Sequence, residues 1–188
     1  KTYFLIFLVT LVLALSFLVV LETSGIARKE FKPLEFNSQY DHIYENISQF
    51  YPNMRYVNTQ ISYSISKECS KEKTETIRRA LEMISQRTVL TFYQTTNGFE
   101  IEYLCSKLVS ETDRKNYYIA GEGGPKEIID SGLFNVILSG KVSLYRDEKC
   151  DVPNIALHET LHALGFDHNN NPNSIMYPVT SCDEEFDD

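Results

Sequence analysis

Three of the four histidines in this chain fall within one short segment, His158-Glu159-Thr160-Leu161-His162-Ala163-Leu164-Gly165-Phe166-Asp167-His168. Histidines four apart on a helix project from one face, a turn apart, so His158 and His162 can share a metal ion. Glu159 sits beside the first of them, where its carboxylate can take a proton from a water that the metal activates. A straight helix would carry a third histidine about 9 Å further along the axis. Gly165 can adopt a positive φ and turn the chain, so that His168 swings back to the same ion. Three neutral imidazoles suit zinc, leave it its full charge and keep one position open for water, whose pKa falls to about 7 in comparable sites. The predicted metal ligands are therefore His158, His162 and His168 around one zinc ion, and the predicted catalytic base is Glu159. Typical composition gives a chance match to these five fixed positions on the order of one in a hundred thousand for a chain of this length. That outweighs a helix of ordinary histidines satisfied by hydrogen bonds. His42, the fourth histidine, reads as a surface residue.

The elements that must position these side chains are legible around them. Ile61, Tyr63 and Ile65 alternate with serines over residues 60–66, the period of a half-buried strand. Ser70 can cap a helix over Lys71–Arg87, in which Ile77, Ala80, Leu81 and Ile84 form one apolar stripe. Residues 89–93 read as a second strand and Phe99, Ile101 and Tyr103 as a third. Asn97-Gly98 between them looks like a hairpin turn, with a longer parallel crossover as the competing reading. Residues 121–125 (Gly-Glu-Gly-Gly-Pro) read as a loop, and without a following Lys-Ser or Lys-Thr they do not form a phosphate loop. Residues 134–138 and 141–145 are strand-like. Asp151, Val152 and Pro153 open the motif-bearing helix and Gly165 stops it. Strands followed by that helix suggest an α/β layer, a mostly apolar sheet covered by two helices.

Downstream lies Ser174-Ile175-Met176-Tyr177-Pro178. The histidine motif followed by a methionine turn resembles the metzincins, and Met176-Tyr177-Pro178 looks like the Met-turn of the matrixins. The resemblance spans about residues 55–180. It implies a mostly parallel twisted sheet of about five strands with one antiparallel edge strand, two main helices, and the active-site helix followed by the Met-turn. It places Met176 as an apolar floor beneath the metal, Tyr177 and Pro178 on the wall of the substrate pocket, and Gly165 at the turn between ligands. It also puts residues 118–121 (Tyr-Ile-Ala-Gly) where the family aligns its substrate along a strand edge. Asn169 follows the third histidine where matrixins usually carry serine. No ligand set for the family's calcium or structural zinc sites is recognisable, so calcium is not predicted. Cys150 precedes the active-site helix and Cys182 follows the Met-turn; a bridge between them would tie both ends of the catalytic segment. Cys69 and Cys105 would then join the first helix's start to the third strand's end. Four cysteines allow three pairings.

Residues 3–21 are uncharged and mostly Leu, Val, Ile and Phe, roughly 28 Å if helical, which reads as a signal anchor or a signal peptide. Residues 22–54 read as a stalk and 55–188 as the catalytic domain. The net charge of −8 argues against a nucleic-acid partner, and the acidic residues 183–188 read as a solvated tail. Arg28, Lys29 and Lys32 after the apolar run favour a cytoplasmic domain. An even cysteine count and the sequon Asn46-Ile47-Ser48 point the other way, and the expectation is an extracytoplasmic, membrane-held or secreted, monomeric enzyme. The leading expectation is a zinc endopeptidase acting on proteins or peptides. The rivals are a zinc-binding interaction module without activity and a zinc hydrolase of a non-peptide amide.

Overall fold

The computed structural model describes residues 48–106, 119–179 and 182, together with Tyr3, Thr10, Leu11 and the backbone of Arg28–Glu30. The remainder of the apolar run 3–21, most of the stalk, His42, Asn46 and Ile47 of the sequon, Tyr118 and the tail 183–188 lie outside the described residues. Among the described residues no helix is long and apolar enough to cross a membrane.

The chain order is β1 (Arg28–Glu30), β2 (Met54–Tyr56), β3 (Gln60–Ile65), α1 (Lys71–Arg87), β4 (Thr91–Gln94), β5 (Ile101–Cys105), β6 (Gly121–Asp130), β7 (Asn135–Leu144) and α2 (Asn154–Ala163). The described strands form one mainly parallel sheet in the order β1-β6-β7-β5-β3-β4, with β2 also pairing with β7. This is an α/β fold with two helices, as the sequence implies, but the sheet has seven strands rather than about five. The antiparallel strand β6 is not the last: β1 adds to it, also antiparallel, at Glu127 to Ile129.

Helix α1 forms where its pattern says. The Ser70 side chain accepts from the Lys73 N–H at 3.1 Å, capping the first turn. Ile77, Ala80, Leu81 and Ile84 are buried on one stripe. Strand β5 alternates in the same clear way, with Ile101, Tyr103 and Cys105 buried. Helix α2 differs, because nine of its ten residues are buried. Such a helix has no solvent face, and it packs against α1 on one side and against β6 and β7 on the other.

Three expectations need correction. Asn97-Gly98 is not a hairpin, because β4 and β5 are both parallel to β3 and lie on opposite sides of it. The chain crosses over β3 instead, pinned where Glu100 Oε2 accepts from the N–H of Ser62 at 2.7 Å and from its hydroxyl at 2.9 Å. Gly98 does take a positive φ of 64°, so the turn signal describes a local dihedral but not the destination of the chain. Residues 121–125 are the first half of β6, not a loop. The two stretches 134–138 and 141–145 are one strand, β7. Gly140 interrupts its pattern because a side chain there would meet the Tyr56 hydroxyl at 2.6 Å.

Two disulfides are present, Cys69–Cys105 and Cys150–Cys182. The first ties the approach to α1 to the end of β5, and the second ties the approach to α2 to the segment beyond Met176.

Candidate metal centre and its surroundings

Helix α2 carries His158, Glu159 and His162, and the way it ends brings in His168. Gly165 has φ 101°. The Gly165 N–H donates to the His162 carbonyl at 2.9 Å and the Phe166 N–H to the Leu161 carbonyl at 3.1 Å. That pair of bonds is a Schellman motif, which satisfies the last carbonyls and reverses the chain. No other residue fits at Gly165, since a Cβ would lie 2.9 Å from that of Met54. The same turn orients a ligand, because the Phe166 carbonyl accepts from His162 Nδ1 at 2.7 Å. The start of α2 has no side-chain cap of its own. Glu148, six residues upstream of the helix, accepts from the Ile155 N–H at 2.9 Å instead.

The three Nε2 atoms converge. The separations are 3.0 Å for His158 to His162, 3.1 Å for His162 to His168 and 3.2 Å for His158 to His168. His158 Nδ1 donates to the Ile175 carbonyl at 2.6 Å. A carbonyl can only accept, so His158 and His162 carry their protons on Nδ1 and turn bare Nε2 lone pairs toward each other. Lone pairs at such distances repel unless a cation lies among them. Tetrahedral zinc with nitrogens at about 2.0–2.1 Å would set them about 3.4 Å apart, so the donor set fits that ion closely. Among the described residues these three are a group of side chains able to hold a metal. Burial lowers His158 to about 4, assisted by His162. Burial does the same to His162, assisted by His168, and to His168, assisted by His158. All three are therefore neutral at pH 7, the form a metal needs.

Glu159 is buried, and that burial, with the Glu122 carboxylate nearby, raises its pKa to about 8 against the opposing hydrogen bond from the Gly123 backbone. The sequence reading placed Gly121 on the substrate-aligning edge and at the start of a loop, but gave neither Gly121 nor Gly123 a role against the acid. Two apart on a strand, they face the same way. A Cβ on Gly121 would lie 2.8 Å from Glu159 Cγ, and one on Gly123 would overlap the Glu159 main-chain carbonyl. The glycines let β6 lie flush on the helix at the acid. Their spacing was the available signal. Two tyrosines were also missed. The Tyr56 hydroxyl donates to the Ala163 carbonyl at 3.1 Å. The Tyr103 hydroxyl lies 3.0 Å from Thr160 Oγ1, which itself donates to the Ala156 carbonyl at 2.6 Å, so Tyr103 is the donor. Both pin α2 to the sheet from beneath.

After His168 the chain returns through Ser174 to Met176, all three of Ser174, Ile175 and Met176 being buried, with Tyr177 half-buried and Pro178 exposed. On the other flank, residues 48–50 run along 165–167. The Phe50 N–H donates to the Gly165 carbonyl at 3.1 Å and the Asp167 N–H to the Ser48 carbonyl at 2.8 Å, and the Phe50 ring lies 5.6 Å from that of His162.

A mixed sheet carrying a buried helix with a histidine-glutamate pair, closed by a third histidine beyond a glycine turn, defines the class of zinc metalloproteases. Within that class the chain belongs to the matrixin family, whose sequence model matches residues 55–187. No curated protein matches the chain.

Proposed function

We propose that the protein is a zinc-dependent endopeptidase that hydrolyses peptide bonds of extracytoplasmic proteins or peptides. The observation that carries this reading is the convergence of three histidine Nε2 atoms, two of them bare, beside a buried acid. His158, His162 and His168 would hold the zinc, and Glu159 is the catalytic residue. Zinc bound there supplies a Lewis acid that activates water and polarises a peptide carbonyl. Glu159 takes the proton of the attacking water and passes it to the leaving amine. A divalent cation beside Glu159 would favour its carboxylate, the form that accepts the water's proton. The outer edge of β6 from Gly121 onward is unpaired by any described strand until Glu127, so an extended substrate can add there through main-chain hydrogen bonds. Met176 forms the floor beneath the metal, and Tyr177 and Pro178 line the pocket, as in the family. Two disulfides support an oxidising compartment. The apolar run 3–21 supports a membrane anchor, or a signal peptide removed on secretion.

The test is cleavage of an unfolded protein by the full chain, with wild type, Glu159→Ala and chelated samples side by side and zinc content recorded for each. Cleavage by wild type, loss of about a thousandfold or more in Glu159→Ala with zinc retained, and abolition by chelator are expected. Zinc uptake without any cleavage would favour an interaction module. Turnover of an amide conjugate in place of peptides would favour a different hydrolase.

A further inference from the structure

The reaction proposed above gives no role to Asn169, which directly follows His168, or to Ser174, which is fully buried. The two are bonded to each other, Asn169 Nδ2 donating to Ser174 Oγ at 2.7 Å. Three further bonds extend this contact. The Asn169 N–H donates to the Met176 carbonyl at 3.0 Å. Ser174 Oγ accepts from the Met176 N–H at 3.1 Å. Asn169 Oδ1 accepts from the Asn171 N–H at 3.1 Å. The residue enclosed by these bonds is Ile175, whose carbonyl accepts from His158 Nδ1.

We infer that Asn169 and Ser174 form a clasp that sets the metal affinity of the site, acting as positioning residues for His158 and His168. The two carbonyls that orient ligand rings are held in different ways. That of Phe166 belongs to the helix-ending turn and is flanked by residues 48–50. That of Ile175 lies in a turn closed by the Tyr177 N–H on the Ser174 carbonyl at 3.0 Å, and this turn is fastened to the ligand segment by side-chain bonds. The clasp supplies them, and it fastens the residue after His168 to the same turn. The first ligand's ring and the third ligand's backbone are thereby held by one pair of side chains. An asparagine serves here because its amide uses both ends: the nitrogen reaches Ser174 while the oxygen takes the Asn171 N–H. Serine at 169 would be too short to do both. Hydrogen-bond partners of metal ligands commonly govern affinity by about 10–100-fold.

This rests on the reading of the three histidines as a metal site, not on peptide cleavage. The test uses Co2+ as the probe. Its affinity and absorption spectrum are measured on the full chain for wild type, Asn169→Ala, Ser174→Ala and the double variant, with circular dichroism and thermal melting as fold controls. Each single substitution should weaken Co2+ binding about tenfold and alter the spectrum. The double variant should fall well short of the product of the two single effects, because the Asn169–Ser174 bond is shared while the bonds to the Asn171 and Met176 N–H groups are not. If Asn169→Ala does not fold, Ser174→Ala decides the matter, since it removes a single oxygen. Affinities within twofold of wild type in folded single variants, even with lowered melting temperatures, would overturn the clasp. So would independent effects that multiply in the double. A folded wild type that takes up no Co2+ would overturn the clasp and the metal reading together. Uptake without cleavage would overturn only the protease reading, and the variant affinities would still decide the clasp.

Discussion

Two residues beside the metal ligands carry opposite constraints, one electrostatic and one steric. Glu159 has a folded pKa of about 8 against an ordinary value of 4.5, the result of burial first and the Glu122 carboxylate second. A raised acid contributes stability that is complete below about pH 4.5 and is lost as pH climbs through 8. Replacing it with the neutral isostere should therefore raise the melting temperature of the metal-free protein at pH 8 by several degrees and leave it nearly unchanged at pH 4.5. With metal bound the difference should shrink, because a nearby divalent cation favours the carboxylate. Melting curves of wild type and Glu159→Gln at both pH values, with and without chelator, measure all of this; equal melting at pH 8 would mean the acid is not desolvated. Gly123 is constrained by space alone. A methyl there overlaps the Glu159 carbonyl, and main chain does not yield as a side-chain tip does. Gly123→Ala should lower activity by at least tenfold and stability by about 2 kcal/mol or more. Gly132→Ala, where an added Cβ would meet nothing but φ is 83°, should cost about 1–2 kcal/mol from backbone strain and leave activity unchanged, which separates lost stability from a displaced Glu159.

At the level of elements, the parts visible in the sequence were those whose cause is local. Ser70 and the Ile77, Ala80, Leu81 and Ile84 stripe fixed α1, and the histidine spacing fixed which faces of α2 converge. What stayed hidden was decided by surfaces meeting across long stretches of chain. The Gly121 and Gly123 pair reads as a flexible loop until α2 is laid on it. Asn97-Gly98 reads as a hairpin because nothing nearby reveals that β3 will lie between β4 and β5. The hydroxyls of Tyr56 and Tyr103 reach partners in α2 more than fifty residues away, and no periodicity announces them. Cysteine count suggested bridges, and of the three possible pairings the sequence reading put forward Cys150 with Cys182 and Cys69 with Cys105, the two bridges present in the fold. The bridge from Cys150 to Cys182 closes a separation of 32 residues, which the chain-entropy estimate values at about 3–4 kcal/mol. It also encloses all of α2 and the Met-turn. The Cys150→Ser, Cys182→Ser double variant should therefore lose stability of that order and bind metal more weakly. The reference is the corresponding pair Cys69→Ser, Cys105→Ser, whose loop of 36 residues encloses no ligand. Chemical denaturation and Co2+ titration of both variants separate the effects. Equal metal affinity in the two would show that the second bridge stabilises the fold without holding the site.

For the molecule as a whole, the metal site is a store of unfavourable electrostatics that the ion relieves. Three imidazoles with folded pKa values of about 4 stand against an ordinary value of 6.5. A lowered base contributes stability that is complete above about pH 6.5 and is lost as pH falls through 4, since the unfolded chain takes up protons that the fold refuses. Glu159 runs the other way, losing stability between about 4.5 and 8. From pH 4.5 to 6.5 the histidines outnumber it, with the half-buried His168 counting for less than the other two. Stability of the chelated protein should then rise by roughly 1.4–2.7 kcal/mol per pH unit from this cluster, an excess of one to two protons. Above about pH 6.5 only the glutamate still titrates, so the chelated protein should be most stable near there and weaken toward pH 8. Zinc reverses the upper limb. It binds the fold and adds about 4 kcal/mol when free metal exceeds its dissociation constant a thousandfold, and it removes the cost of ionised Glu159. The zinc-loaded curve should thus stay level to pH 8 and converge on the chelated one only near pH 4, where protons displace metal from the three Nε2 atoms. Denaturation at half-unit pH steps, with and without chelator, gives both curves. A chelated curve that is flat between pH 4.5 and 6.5 would mean that the histidines are solvated and already charged, and the convergence of the three rings would then need the metal to create it.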